Sequence, residues 1–136
     1  MARYLLDADT VSYALRGQGH VADRVLDHPP SDLCISSITL AELGFGAESK
    51  KSQKLRRAIR TFVRDVAVVP FDEGAAERFA VLAAGLAKSG TPIGVLDTLV
   101  AAHALSLGLT VVTNNTRHFR RVPGLKVENW VSSRSH

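Results

Sequence analysis

The sequence predicts an α/β protein: a single parallel sheet of four to five short strands, flanked by helices on both faces. Three observations lead to that class. Short apolar runs recur along the chain, as in Tyr4-Leu5-Leu6, Leu33-Cys34-Ile35 and Ala67-Val68-Val69. Strands buried on both faces read this way, as continuous apolar runs without alternation. Between the runs lie stretches with helical spacing and helix stop signals, so strand and helix alternate as in parallel-sheet proteins. Polar or acidic residues then follow several of the runs, at the carboxyl ends of strands, where such sheets gather their ligands.

Taken in order, Tyr4-Leu5-Leu6 is the first strand and stops at Asp7. A helix is expected from Thr10 to Arg16, broken by Gly17 and Gly19, and another from Val21 to Leu26, closed by His28-Pro29-Pro30. Leu33 to Ser36 is the second strand. Thr39 is expected to open a helix running to Ser49, and the basic stretch Lys50 to Arg64 reads as helical too. Ala67-Val68-Val69 is a third strand ending at Pro70. From Asp72 onward Ala76, Phe79, Ala80, Ala83 and Leu86 recur at helical spacing until Ser89-Gly90 ends the helix. Leu96 to Leu107 is a further helix ended by Gly108, Leu109 to Val112 a fourth strand, and Leu125 to Val127 a short fifth. No repeat, low-complexity tract or linker interrupts the series, so residues 1–136 are expected to form one domain.

A chain of 136 residues can enclose a core, and 46% hydrophobic against 22% charged residues excludes a disordered polar chain. The net charge of +4 and a pI near 9.6 point to an anionic partner, of which nucleic acid is the commonest. Cys34 is the sole cysteine, which rules out an intramolecular disulfide and a thiolate metal cluster; its apolar neighbours mark it as a buried strand residue. No run approaches the ~18 apolar residues of a membrane span, and no secretory signal opens the chain, so a cytoplasmic protein is expected.

Asp7 follows the first strand, Glu42 lies near the start of the helix after the second, Asp97 opens the helix leading into the fourth, and Thr113-Asn114-Asn115 follows that fourth strand. Each also fits an ordinary structural role. Asp7 can cap a helix, Thr39-Leu40-Ala41-Glu42 has the capping-box pattern, Asp97 suits a helix amino terminus, and asparagines are common in turns. The combination is what points to chemistry. Converging carboxylates repel one another and are costly to bury, and a divalent metal resolves that conflict. Magnesium takes hard oxygen ligands and keeps several waters, so a few carboxylates suffice, whereas no His/Cys grouping with zinc spacing is present.

Leu5-Leu6-Asp7-Ala8-Asp9-Thr10, Thr39-Leu40-Ala41-Glu42-Leu43, Ile93-Gly94-Val95-Leu96-Asp97-Thr98-Leu99-Val100-Ala101-Ala102-His103-Ala104, Thr113-Asn114-Asn115-Thr116-Arg117-His118-Phe119 and the stretch Val122 to Trp130 resemble, in order, the successive motifs of the VapC toxins, PIN-domain ribonucleases of toxin–antitoxin pairs. The resemblance spans nearly the whole chain. It implies a PIN fold and an endoribonuclease with an acidic magnesium or manganese site. It also implies a homodimer, a cognate VapB-type antitoxin and a higher toxin–antitoxin assembly. Asp7, Glu42 and Asp97 fall on the family's three principal acidic positions. The family usually adds a fourth acid near Asn115 or just before Phe119, where this chain has Asn115 and His118. An asparagine still offers a carbonyl oxygen, while imidazole is a poor magnesium ligand, so one metal is expected and a second left open. Asp9 stands where the family often has asparagine.

The expected mechanism is hydrolysis of an RNA phosphodiester by a metal-activated water, with Asp7, Glu42 and Asp97 around the metal and Asn115 beside them. Thr113, Arg117 and Arg120 are expected to meet the substrate, tRNA or another structured RNA. The basic stretch Lys50 to Arg64 fits either a solvated helix face or a track for RNA phosphates. His103 is expected to pack, Trp130 to anchor the end of the chain, and Phe45, Phe62 and Phe79 to serve the core or a partner interface. Two other readings compete. Leu5-Leu6-Asp7-Ala8-Asp9-Thr10-Val11 also fits the opening motif of haloacid-dehalogenase-type phosphatases, and the basic charge also suits a non-catalytic RNA-binding module.

Overall fold

A computed structural model describes residues 2–131. Five strands, β1 (Tyr4–Leu6), β2 (Leu33–Ser36), β3 (Ala67–Val69), β4 (Thr110–Val112) and β5 (Val127–Glu128), form one sheet in the order β3-β2-β1-β4-β5. Every pairing is parallel, with Leu5 opposite Cys34 on one side and opposite Val111 on the other. Seven helices connect them: α1 (Ala8–Arg16), α2 (Val21–Leu26), α3 (Ser37–Ser49), α4 (Gln53–Asp65), α5 (Glu73–Lys88), α6 (Val95–Leu107) and the single turn α7 (Thr116–Phe119). The α/β class and the parallel sheet read from the sequence are therefore present.

The pleat divides the core in two. Leu6, Ile35 and Val112 point to the face covered by α1, α2 and α4, where Val11, Val21, Ile59 and Trp130 complete the packing. Leu5, Cys34 and Val111 point to the other face, against Leu82, Leu86, Val100 and Ala101 of α5 and α6. Trp130 closes the first layer as expected: it is fully buried, stacks on His28 with ring centroids 4.9 Å apart, and donates its indole N–H to Glu128.

Several boundaries differ from the sequence reading, each for a local reason. Helix α1 starts at Ala8 because Asp7 itself is the cap, accepting the Thr10 N–H. Helix α3 starts at Ser37, capped by the Ser36 hydroxyl, so Thr39 does not open it and Glu42 is in no capping box. The basic stretch is not one helix. Lys51 has a positive φ of 50° and Ser52 caps α4 anew, which leaves Lys50 and Lys51 in the bend. On α5 the buried residues are Ala75, Leu82 and Leu86 with Phe79 half-buried, whereas Ala76 and Ala80 are exposed. On α6, Leu96 and Leu107 are exposed at the two ends while Val100 and His103 are buried between them. The last strand falls at Val127–Glu128, shifted toward the carboxyl end from Leu125–Val127. Among the described residues no helix is long and apolar enough to cross a membrane.

Candidate functional site

All four chain segments singled out in the sequence lead to the carboxyl edge of the sheet. Asp7 leaves β1, α3 carries Glu42 out of β2, the first turn of α6 carries Asp97, and Thr113 to His118 leave β4. Parallel strands impose this convergence, since every strand ends at the same edge.

Asp7 is buried, and both of its carboxylate oxygens are engaged. Oδ1 accepts the Thr10 N–H at 2.9 Å and Oδ2 accepts the Thr113 hydroxyl at 2.5 Å. Burial pushes its pKa from 3.8 up to about 6, against the lowering effect of those hydrogen bonds. Thr10 is anchored in turn by its hydroxyl, which donates to the Val112 carbonyl at 3.0 Å. Thr113 is fully buried, and its oxygen also accepts the Asn115 N–H at 2.8 Å. It therefore holds Asp7 from behind instead of lining a substrate surface.

Glu42, half-buried on α3, is raised above its ordinary value by burial and then by the negative charges of Asp97, Asp7 and Asp9. The three acids thus share one field, to which exposed Asp9 contributes. Asp97 Oδ2 faces the Asn115 amide nitrogen at 3.1 Å and His118 Nδ1 at 3.0 Å. Among the described residues no three His, Cys, Asp or Glu side chains are already drawn into an ion cage. What the structure does bring into direct contact is Asp97 with Asn115 and His118, and Asp7 with Thr113.

The donor set fits a divalent cation. Its oxygens are hard, its carboxylates repel one another, and a cation with a retained water shell does not need every carboxylate in direct contact. Arg117 and Arg120 are exposed on and just after α7, free to meet an anionic chain; Arg121 is exposed too but donates to the Pro92 carbonyl at 3.1 Å. His103 sits elsewhere, with Nδ1 2.8 Å from the Ser36 hydroxyl and its ring against Phe71. Burial lowers its pKa, in keeping with a packing role. The sequence reading did not foresee that His118 turns its ring onto Asp97. The i, i+3 spacing of Asn115 and His118 around a single helical turn was the available signal.

The PIN domain profile matches residues 4–125, and with it the acidic edge has a family. The chain belongs to the PIN-domain family, in its VapC ribonuclease group. Over 132 residues it is 39% identical to the tRNA(fMet)-specific endonuclease VapC of Salmonella typhimurium, covering 96% of this chain and 99% of the relative. It is 36% identical to ribonuclease VapC2 of Haemophilus influenzae, over 96% of this chain and all of that protein. Its fold superposes on the crystal structure of DNA-bound VapBC from Salmonella typhimurium with a TM-score of 0.86 at 40% identity, covering 96% of this chain and 99% of that one. VapBC2 of Rickettsia felis, bound to a fragment of its promoter DNA, gives a TM-score of 0.85 at 30% identity, covering 93% of this chain and 98% of that one. Membership in the VapC group disfavours both the phosphatase and the non-catalytic readings. The VapC fold also explains why Asp7, Glu42 and Asp97, far apart in sequence, lie at one edge in space.

Proposed function

We propose that this VapC-type chain is a metal-dependent endoribonuclease that cuts structured RNA, initiator tRNA foremost, in the cytoplasm, and that a VapB-type antitoxin silences it. The observation that carries this reading is the shared field of Asp7, Glu42 and Asp97, three acids from three elements at one sheet edge. The substrate follows from similarity to a tRNA(fMet)-specific endonuclease, the partner from similarity to the toxin halves of VapBC complexes.

Asp7, Glu42 and Asp97 would hold a divalent cation, Mg²⁺ or Mn²⁺, which would supply Lewis acidity toward the phosphate and the attacking water. The protein does the rest. Thr113 and the Thr10 N–H fix the orientation of Asp7. Glu42, its basicity raised by burial and then by its acidic neighbours, accepts a proton at its carboxylate from the attacking water. Arg117 and Arg120 neutralise phosphates flanking the scissile bond and contribute affinity without base specificity. Water attacks phosphorus in line, the 3′ oxygen leaves and takes a proton from solvent, and the products carry 5′-phosphate and 3′-hydroxyl ends.

Apolar side chains remain for partners. Ala14, Leu15, Val25, Leu26 and Phe62 line a groove between α1, α2 and α4, which suits an antitoxin helix. Exposed Phe45, Val81 and Leu96 lie away from that groove and suit a second copy of the chain. The test of the activity is cleavage of total cellular RNA by antitoxin-free protein with Mg²⁺, Mn²⁺ or EDTA, beside Asp97→Asn. Discrete fragments that need metal and vanish in the variant are expected. Cleavage in EDTA, or products ending in 2′,3′-cyclic phosphate, would overturn the reading.

A further inference from the structure

His118 Nδ1, Asp97 Oδ2 and the Asn115 amide nitrogen form a nearly equilateral triangle with sides of 3.0, 3.1 and 2.9 Å. Hydrogen bonds alone also give separations near 3 Å, so the distances do not decide what the triangle is for. The proton count does. If Nδ1 carries a hydrogen and donates to Asp97, the Asn115 amide nitrogen is a second donor 2.9 Å away, with no acceptor between the two. If Nδ1 is bare and accepts from Asn115, its lone pair faces the carboxylate of Asp97. Turning the amide over, which exchanges its near-isosteric oxygen and nitrogen, only moves the conflict to the side between Asn115 and Asp97. While Asp97 is ionised, no placement of the hydrogens makes all three sides of the triangle attractive.

A cation at the triangle removes the conflict, because all three atoms can then present lone pairs: nitrogen from His118, oxygen from Asp97, and oxygen from Asn115 with its amide turned. Adjacent ligands on an octahedral ion with bonds of about 2.1 Å stand about 3.0 Å apart, so the three atoms already have the spacing of one octahedral face. We propose that His118 is a metal ligand through Nδ1, alongside Asp97 and Asn115, and that this nitrogen makes the site prefer a first-row ion such as Mn²⁺ to Mg²⁺. Imidazole suits the later first-row ions, and manganese, the weakest of that series and otherwise an oxygen-ligand ion like magnesium, accepts a nitrogen more readily than magnesium does. The inference rests on the metal-dependent reading above and deepens it, since it names the ion class that Asp97 holds.

His118 is partly exposed on the short α7, so substitution there leaves both core layers intact. The probe is Mn²⁺ added to the full-length, metal-free chain, read by electron spin resonance, with Mg²⁺ as competitor. Spin-echo spectra of the wild type are expected to show coupling to a directly bound ¹⁴N that disappears in His118→Glu. That variant is expected still to bind Mn²⁺, with the Mn²⁺ to Mg²⁺ affinity ratio about tenfold lower. Four results would overturn the inference: no Mn²⁺ binding, no ¹⁴N coupling in the wild type, coupling that persists in His118→Glu, or an unchanged affinity ratio. A positioning role for His118 through its hydrogen bond to Asp97 would give no ¹⁴N signal. The RNA assay separates this from the parent reading: coupling without cleavage upholds the ligand and rejects the nuclease, and cleavage without coupling does the reverse.

Discussion

Asp7 serves two purposes that pull against each other. As the cap of α1 it stabilises the fold by accepting the Thr10 N–H; as a buried carboxylate it is costly to ionise. Its pKa is raised from 3.8 in the open chain to about 6 in the fold, so the native state holds a proton that the unfolded chain has released between those values. Stability of the metal-free protein therefore falls as pH climbs from about 4 to about 6 and is level beyond, by up to about 3 kcal/mol from this one group. Asparagine keeps the cap without the charge. Asp7→Asn is expected to raise the melting temperature in EDTA at pH 7, flatten its pH dependence across that window and abolish RNA cleavage. A variant less stable than the wild type at pH 7 would show that the charged form is favoured by contacts stronger than its burial. Arg117 and Arg120 belong to the same scale. Changing both to glutamine is expected to raise KM several-fold, weaken the salt dependence of RNA binding and leave kcat nearly unaltered.

At the scale of elements, the short parallel strands were legible because burial on both faces leaves an unbroken apolar signature. Asp7 and Asp97 were legible because one follows a strand and the other lies in the first turn of a helix, whereas Glu42, read as a first-turn residue, lies in the second turn of α3. Helix starts were harder to read. Ser36 and Thr39 both look like caps, and only the fold shows that Ser36 takes the role. The stripe on α5 was right at Phe79, Ala83 and Leu86 and wrong at Ala76 and Ala80, because alanines crowd both faces of that helix and small apolar residues are cheap to leave exposed. The contact of His118 with Asp97 joins two helices 21 residues apart and left no periodic trace. Gly94 shows how an element aims a site residue. Its backbone, at φ 93° and ψ 155°, lies where glycine alone is at ease, and it starts the helix whose first turn carries Asp97. A Cβ there would meet nothing within 4 Å, so the cost of Gly94→Ala is conformational and not steric. A loss of about 1–3 kcal/mol in chemical denaturation is expected, with reduced cleavage as Asp97 is re-aimed. Unchanged stability would mean that the loop before α6 has an equally good alternative path.

Across the whole molecule, the acidic edge and the apolar groove proposed for the antitoxin are separate surfaces. The acidic edge collects the ends of β1, β2 and β4, while the apolar groove runs between α1, α2 and α4. Leu26 is 82% exposed on the wall of that groove, an unfavourable place for leucine unless another chain covers it. Leu26→Glu is expected to weaken the toxin–antitoxin complex at least tenfold in titration calorimetry while RNA cleavage by the free toxin stays at the wild-type rate. Equal binding by the variant would place the antitoxin elsewhere.

The central strand β1 is the first element of the chain, and one of its two neighbours, β4, is made more than 100 residues later. During translation the acids therefore emerge long before they can meet. Asp7 leaves the ribosome 106 residues before Thr113, which orients it, and Asn115 and His118, which face Asp97, come later still. A chain halted before residue 110 lacks the strand beside β1 and should be inert however much of it accumulates. The site thus cannot assemble until the segment from β4 through His118 has been made, however early Asp7 is in place.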